Sequence, residues 1–129
     1  MSNNANKIHA SPSRISSFRF AIRGIRRAWQ AEPNIRIQFV FLMVALLLGY
    51  FLEISAIEFG LLILISAMVI AAEIFNTSIE TLTDLVSPEI HPLAERTKDM
   101  AAAGVLLSSI AAAIIGCIIF LPKLWDCLQ

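Results

Sequence analysis

From Ile35 to Leu121 the chain alternates long apolar runs with short polar breaks. Three of these runs are long enough to cross a membrane. The first, about Ile35–Leu52, reaches ~27 Å as a helix at ~1.5 Å per residue, close to the thickness of the hydrocarbon. A short connection, Glu53–Ala56, ends it. Ser55 and Glu58 have the Ser-x-x-Glu spacing of a capping box and predict the start of a second helix, about Ile57 to Val86. Residues 57–80 of that helix form the span, and its last turns are expected to leave the membrane. Ser87-Pro88-Glu89-Ile90-His91-Pro92 reads as a loop because two prolines interrupt it. A third helix is expected from near Leu93, with a membrane part at about Met100–Leu121 stopped by Pro122. Ala101, Ala102, Ala103 and Gly104 open that part, and small residues there predict close helix packing.

The N-terminal third follows a different pattern. Residues 1–13 are polar and aperiodic and read as a disordered tail. Over residues 14–31, Phe18, Ile22, Ile25 and Trp29 fall within roughly 60° of one another on a helical wheel. Arg19, Arg23, Arg26 and Arg27 occupy a separate arc. This predicts an amphipathic helix lying on an anionic membrane surface; an ordinary bundle helix is the alternative. Glu32-Pro33-Asn34 then breaks the helix, since proline disfavours helical geometry at Glu32 and suits the first turn of the next helix.

Composition supports the membrane reading. Hydrophobic residues make up 57% and charged residues 16%, against roughly 45–50% and 25% in soluble domains. The chain is an all-α membrane protein of one domain, residues 14–129. Its formal net charge of +0 implies no polyanion partner and no nucleic acid. The charges are unevenly placed, however: Lys7, Arg14, Arg19, Arg23, Arg26, Arg27 and Arg36 crowd the first third. That end is expected on the cytoplasmic side. The turn at 53–56 has no Lys or Arg and falls outside, whereas the 84–98 loop, with Arg96 and Lys98, falls inside. No signal peptide is expected, because the N-terminus is polar and the first apolar run begins late. Cys117 and Cys127 lack metal-ligand spacing.

The chemistry concentrates on one helix face. After the uncharged run Leu61–Ala72 comes Glu73-Ile-Phe-Asn76-Thr-Ser-Ile-Glu80. At ~100° per residue, Glu73, Asn76 and Glu80 fall within roughly a 60° arc. An ionisable residue in a membrane span is costly and marks a functional candidate. Glu32, Glu80, Asp84, Glu89, Lys98 and Asp99 gather at the cytoplasmic surface, with Glu73 one to two turns deeper. Carboxylates such as Glu32 and Glu80 suit Mg²⁺ shared with substrate phosphates. Lys98 and the basic helix suit phosphate oxygens. Glu73 suits proton abstraction from a hydroxyl, with Asn76 as an orienting group. The set fits phosphoryl transfer, although no P-loop or kinase glycine-rich loop is present. Each residue also has a plainer reading. Glu73 and Asn76 are also suited to interhelical hydrogen bonds, Glu80 and Asp84 to a solvated helix end, and Lys98-Asp99 to a membrane boundary. Glu32 is suited to helix capping, and His91, beside Pro92, to a simple loop position.

These residues, over about Phe18–Leu121, resemble the prokaryotic diacylglycerol kinase family, which includes undecaprenol kinases. Glu73…Asn76-Thr…Glu80 matches the family's E-x-x-N-[ST]-x-x-E signature. Asp84…Glu89-Ile-His91…Lys98-Asp99 matches in residues and spacing. The resemblance implies a homotrimeric kinase of the bacterial inner membrane, with a surface helix and three transmembrane helices per chain. Its sites would lie between subunits on the cytoplasmic side. It implies ATP as phosphate donor, Mg²⁺ as cofactor and a membrane lipid alcohol as acceptor. Glu73 resembles the general base, and Glu32 and Glu80 the metal ligands. Asn76, Glu89, His91, Lys98 and Asp99 resemble positions around ATP and the transferred phosphate. Phe20 stands where some members carry a tyrosine near the nucleotide, and Arg14 or Arg19 resembles a substrate-contacting arginine. Asn34-Ile-Arg36-Ile-Gln38, the 87–92 loop and Phe120-Leu-Pro122-Lys123 look closer to the undecaprenol branch, with diacylglycerol the second choice. The rival reading is a non-enzymatic oligomeric channel or assembly subunit whose carboxylates line a polar path.

Overall fold

The computed structural model describes residues 14–129, with only the backbone at Arg14. The tail read over residues 1–13 lies outside the described residues. Four helices follow in order: α1 (Arg14–Ala31), α2 (Pro33–Phe51), α3 (Ala56–Val86) and α4 (Pro92–Cys127). The last three are long and apolar enough to cross a membrane. At ~1.5 Å per residue α3 is about 46 Å long and α4 about 54 Å, so both outreach a hydrocarbon layer of ~30 Å.

Local signals set the helix ends. Ser55 Oγ accepts from the Glu58 backbone N–H at 3.3 Å, and Glu58 Oε2 accepts from the Ser55 N–H at 2.7 Å. This is the reciprocal cap expected from the spacing. Between α2 and α3 the chain turns in a Schellman motif: Ile54 N–H bonds Gly49 C=O and Glu53 N–H bonds Tyr50 C=O. Glu53, at φ 50°, takes the left-handed position that usually falls to glycine. The side chain of Ile54 folds back over Gly49, a contact that often accompanies this motif.

Helix α3 is the axis, with both α4 and α2 packed against it. The buried cluster Ile54, Leu62 and Ile119, backed by Phe59 and Phe120, ties all three together near the α2–α3 turn. Elsewhere large apolar side chains face outward, among them Phe41, Tyr50, Phe75 and Leu107. Such a surface belongs in lipid or against other protein, not in water.

Helix α1 is held to α2 at a sharp elbow. Glu32 is extended (φ −111°, ψ 109°) ahead of Pro33, the first residue of α2. The Arg36 guanidinium reaches back over the elbow and donates to the carbonyls of Trp29 and Gln30, at 3.1 and 3.2 Å. A cation there also complements the negative end of the α1 dipole. Trp29 meets Phe39 edge to face, with centroids 5.5 Å apart. We expect Arg36→Met to loosen α1 and to speed trypsin cleavage at Arg23–Arg27 several-fold in nanodiscs. Cleavage at the wild-type rate would mean that the elbow is held by packing alone.

Two sequence expectations are corrected. Pro122 does not stop the third helix, which runs on to Cys127. Proline's fixed φ is helical; the helix loses one backbone hydrogen bond near its end and continues. The small residues Ala102, Ala103 and Gly104 are not packed within this chain: all three are exposed, and a Cβ at Gly104 would meet nothing within 4 Å. Small side chains permit close approach, but the α3–α4 contact uses other faces of the helix.

Candidate active site

Glu73 is 4% exposed, the buried charged side chain of the described core. It faces α2, which the apolar faces of both helices bring against α3. Two α2 side chains one turn apart reach it. Asn34 Nδ2 donates to Glu73 Oε1 at 2.9 Å, and Gln38 Nε2 donates to Glu73 Oε2 at 3.3 Å. The carboxylate is thus held by two neutral carboxamides, one on each oxygen. Reading residues one by one did not single out these partners. The signal was present, since Asn34 and Gln38 share one face of a span whose other positions are mostly apolar.

Asn76 makes no hydrogen bond to Glu73 but pairs further along the helix. Its Nδ2 donates to Glu80 Oε1 at 3.0 Å, while its Oδ1 is buried without a partner. The structure therefore divides the three-residue face into Glu73 held from α2 and an Asn76–Glu80 pair one turn higher. Thr77 and Thr81 turn their hydroxyls onto backbone carbonyls of their own helix, at 3.0 and 2.8 Å.

The remaining candidates are spread along the same end. Glu32 is half-buried at the elbow and occupies the N-cap position of α2, but its side chain makes no capping bond. Lys98 forms an ion pair with Asp84 across the α3–α4 loop. Asp99, one residue on, is exposed. His91 caps α4: its Nδ1 accepts from the Leu93 N–H at 3.2 Å. Glu89 is exposed in the same loop. On α1, Arg19 is exposed, and the ring of Phe20 carries the Arg23 guanidinium 5.6 Å from its centre. The side chain of Arg14 lies outside the description. Among the described residues no three His, Cys, Asp or Glu side chains cluster closely enough to hold a metal ion by themselves. Glu32 and Glu80 would need oxygen donors from elsewhere, such as substrate phosphates, to complete a coordination sphere.

A groove of about 550 Å³ opens between α2, α3 and α4. Asn34 and Gln38 line its polar part, and Phe41, Leu62, Ile65 and Gly116 are among its apolar walls. It combines a long apolar trough with a few polar groups next to a buried carboxylate. That arrangement suits a molecule with a hydrocarbon tail and a small polar head.

Comparison with known proteins gives the same answer. The family model for prokaryotic diacylglycerol kinase matches residues 19–120. The undecaprenol kinase of Bacillus subtilis (strain 168) is 37% identical over 108 residues, covering 84% of this chain and 88% of the relative. The diacylglycerol kinase of Escherichia coli (strain K12) is 36% identical over 100 residues, covering 78% and 82%. That of Synechocystis is 36% identical over 120 residues, covering 92% and 69%. A buried carboxylate on a helix long and apolar enough to cross a membrane, an apolar groove beside it and a family match across most of the chain converge: the chain belongs to the prokaryotic diacylglycerol kinase family and is a membrane lipid kinase.

Proposed function

We propose that this kinase transfers the γ-phosphate of ATP to the hydroxyl of undecaprenol, with diacylglycerol as the second choice, and that Glu73 is the base. The carrying observation is the buried Glu73 carboxylate, held by Asn34 and Gln38 beside the groove. A lipid alcohol lying in the groove brings its hydroxyl to that carboxylate. Glu73 takes the hydroxyl proton as the alcohol oxygen bonds to the γ-phosphorus. The bond from that phosphorus to the bridging oxygen breaks with its electron pair, and ADP leaves.

Glu80 and Glu32 fit the role of Mg²⁺ ligands. Both are hard oxygen donors, and the unpartnered Asn76 Oδ1 beside Glu80 leaves one more oxygen free for a water or cation at that end. When bound with ATP, the metal supplies charge neutralisation at the phosphates. Lys98 would add to this by exchanging its hold on Asp84 for a phosphate oxygen, with Asp99, Glu89, His91 and Phe20 around the nucleotide. Arg19 or Arg14 would contact the lipid substrate. The basic α1 supports a cytoplasmic position for this end, and the family resemblance supports a homotrimer in the inner membrane. The preference for undecaprenol rests on Asn34-Ile-Arg36-Ile-Gln38 and the 87–92 loop.

The test is transfer of labelled phosphate from ATP into extracted lipid, with undecaprenol and diacylglycerol offered separately to the purified protein. We expect incorporation several-fold higher into undecaprenol and none in excess chelator. Equal or greater incorporation into diacylglycerol removes the substrate preference. Undiminished incorporation with chelator removes the metal.

A further inference from the structure

We infer that Asn34 and Gln38 are positioning residues of the reaction, a pair of carboxamides that fixes the plane and direction of the Glu73 carboxylate beside the groove. The inference rests on the proposal that Glu73 is the base.

Three observations carry it. First, the two amides approach opposite oxygens of one carboxylate from one helix, at 2.9 and 3.3 Å. With one donor on each oxygen, rotation of the carboxylate about its terminal bond breaks a hydrogen bond in either direction, so the group is held in one plane. Second, Gln38 Oε1 is buried and has no partner. A glutamine placed to serve a general structural network would satisfy both ends of its amide. This one leaves its carbonyl unmet and keeps its N–H₂ on Glu73, so the carboxylate dictates its orientation. Third, Asn34 and Gln38 also line the groove, so the groups that hold Glu73 stand where a lipid head would arrive. Neutral donors suit the task. A lysine or arginine in their place would tie the proton acceptor into an ion pair, whereas an amide fixes its direction and leaves further lone pairs open. Holding a reacting group in its attack geometry acts on turnover, not on ground-state binding.

The experiment compares Gln38→Met and Asn34→Leu with the wild type in the full-length protein. Methionine and leucine keep the volume and remove the donors. Turnover and KM are measured for ATP and for the lipid alcohol in mixed micelles, with thermal unfolding followed by circular dichroism. We expect kcat to fall about tenfold or more in each variant, with both KM values within about twofold of wild type and the melting midpoint unchanged. Wild-type kcat, or a rise in KM with kcat unchanged, overturns the inference. Should Gln38→Met fail to fold, Gln38→His decides. Its ring N–H restores a donor at similar reach, so a folded variant with most of the turnover supports the pair and a folded inactive one overturns it. Glu73→Gln separates the two levels. If it turns over normally, the base assignment fails; if it is inactive while Gln38→Met is normal, only the positioning role fails.

Discussion

Glu73→Gln should lower turnover by about 10²–10⁴-fold, the usual contribution of a positioned general base. By transition-state arithmetic this is roughly 3–5 kcal/mol of barrier. The fold should survive the change. Glutamine has the shape of glutamate and needs only one altered hydrogen bond. Its carbonyl can accept from Asn34 Nδ2, as Glu73 Oε1 does now. Its new N–H₂ would face Gln38 Nε2, donor against donor, and a flip of the Gln38 amide cures this. The flip leaves the number of bonds unchanged: Oε1, unpartnered now, gains a donor, and Nε2 takes its unpartnered place. Phosphate incorporation into lipid, measured beside the circular dichroism spectrum, separates loss of chemistry from loss of structure. Near-wild-type incorporation would end the assignment of Glu73 as the base.

The largest expected effect on stability lies at the opposite end of α2. A Cβ built on Gly49 comes within 2.6 Å of Ile54 Cδ1 and 3.2 Å of Phe59 Cε1. Ile54 is 6% exposed, stiff at its branched Cβ and packed on Leu62 and Ile119, so it has little room to withdraw. It also follows Glu53 in the Schellman turn, whose backbone bonds reach Gly49 and Tyr50. Gly49→Val should therefore cost about 1–3 kcal/mol, the usual range for overpacking. The variant should show a thermal midpoint several degrees lower in detergent. Trimming the obstacle in Gly49→Val with Ile54→Ala should recover part of the loss, since the two sites share one contact. An unchanged midpoint in the single variant would show that the turn rearranges freely. Activity per folded molecule should hold, because Glu73 is gripped from the first turns of α2, not the last.

The contrast between these two sites indicates how function is laid out along the helices. The apolar cluster near the α2–α3 turn joins the three long helices. The polar groups sit at the other end, where α1 folds over the start of α2 and α3 projects past the span. Family membership as a lipid kinase displaces the channel reading, under which these same carboxylates would line a path for ions. A buried base beside an apolar groove, as proposed for Glu73, would let a lipid alcohol react without leaving the bilayer.

Much of this was legible in the sequence, through forces that act within a helix. Apolar runs of span length, the Ser55–Glu58 box and the Pro33 start depend on near neighbours and on the surrounding solvent, and they appear where those rules put them. The motif from Glu73 to Glu80 likewise belongs to one helix, so its shared face and its resemblance to the kinase family could be read directly. Helical periodicity says nothing about how far one helix is rotated or slid against the next. Only the tertiary structure decided that Glu73 bonds Asn34 and Gln38 and not Asn76, that Lys98 closes on Asp84, and that Ala102, Ala103 and Gly104 of α4 are left exposed. Those contacts depend on the register between α2, α3 and α4, which is set by side-chain packing between residues tens of positions apart, whereas spans, caps and the position of the acidic motif needed only neighbours within a few turns.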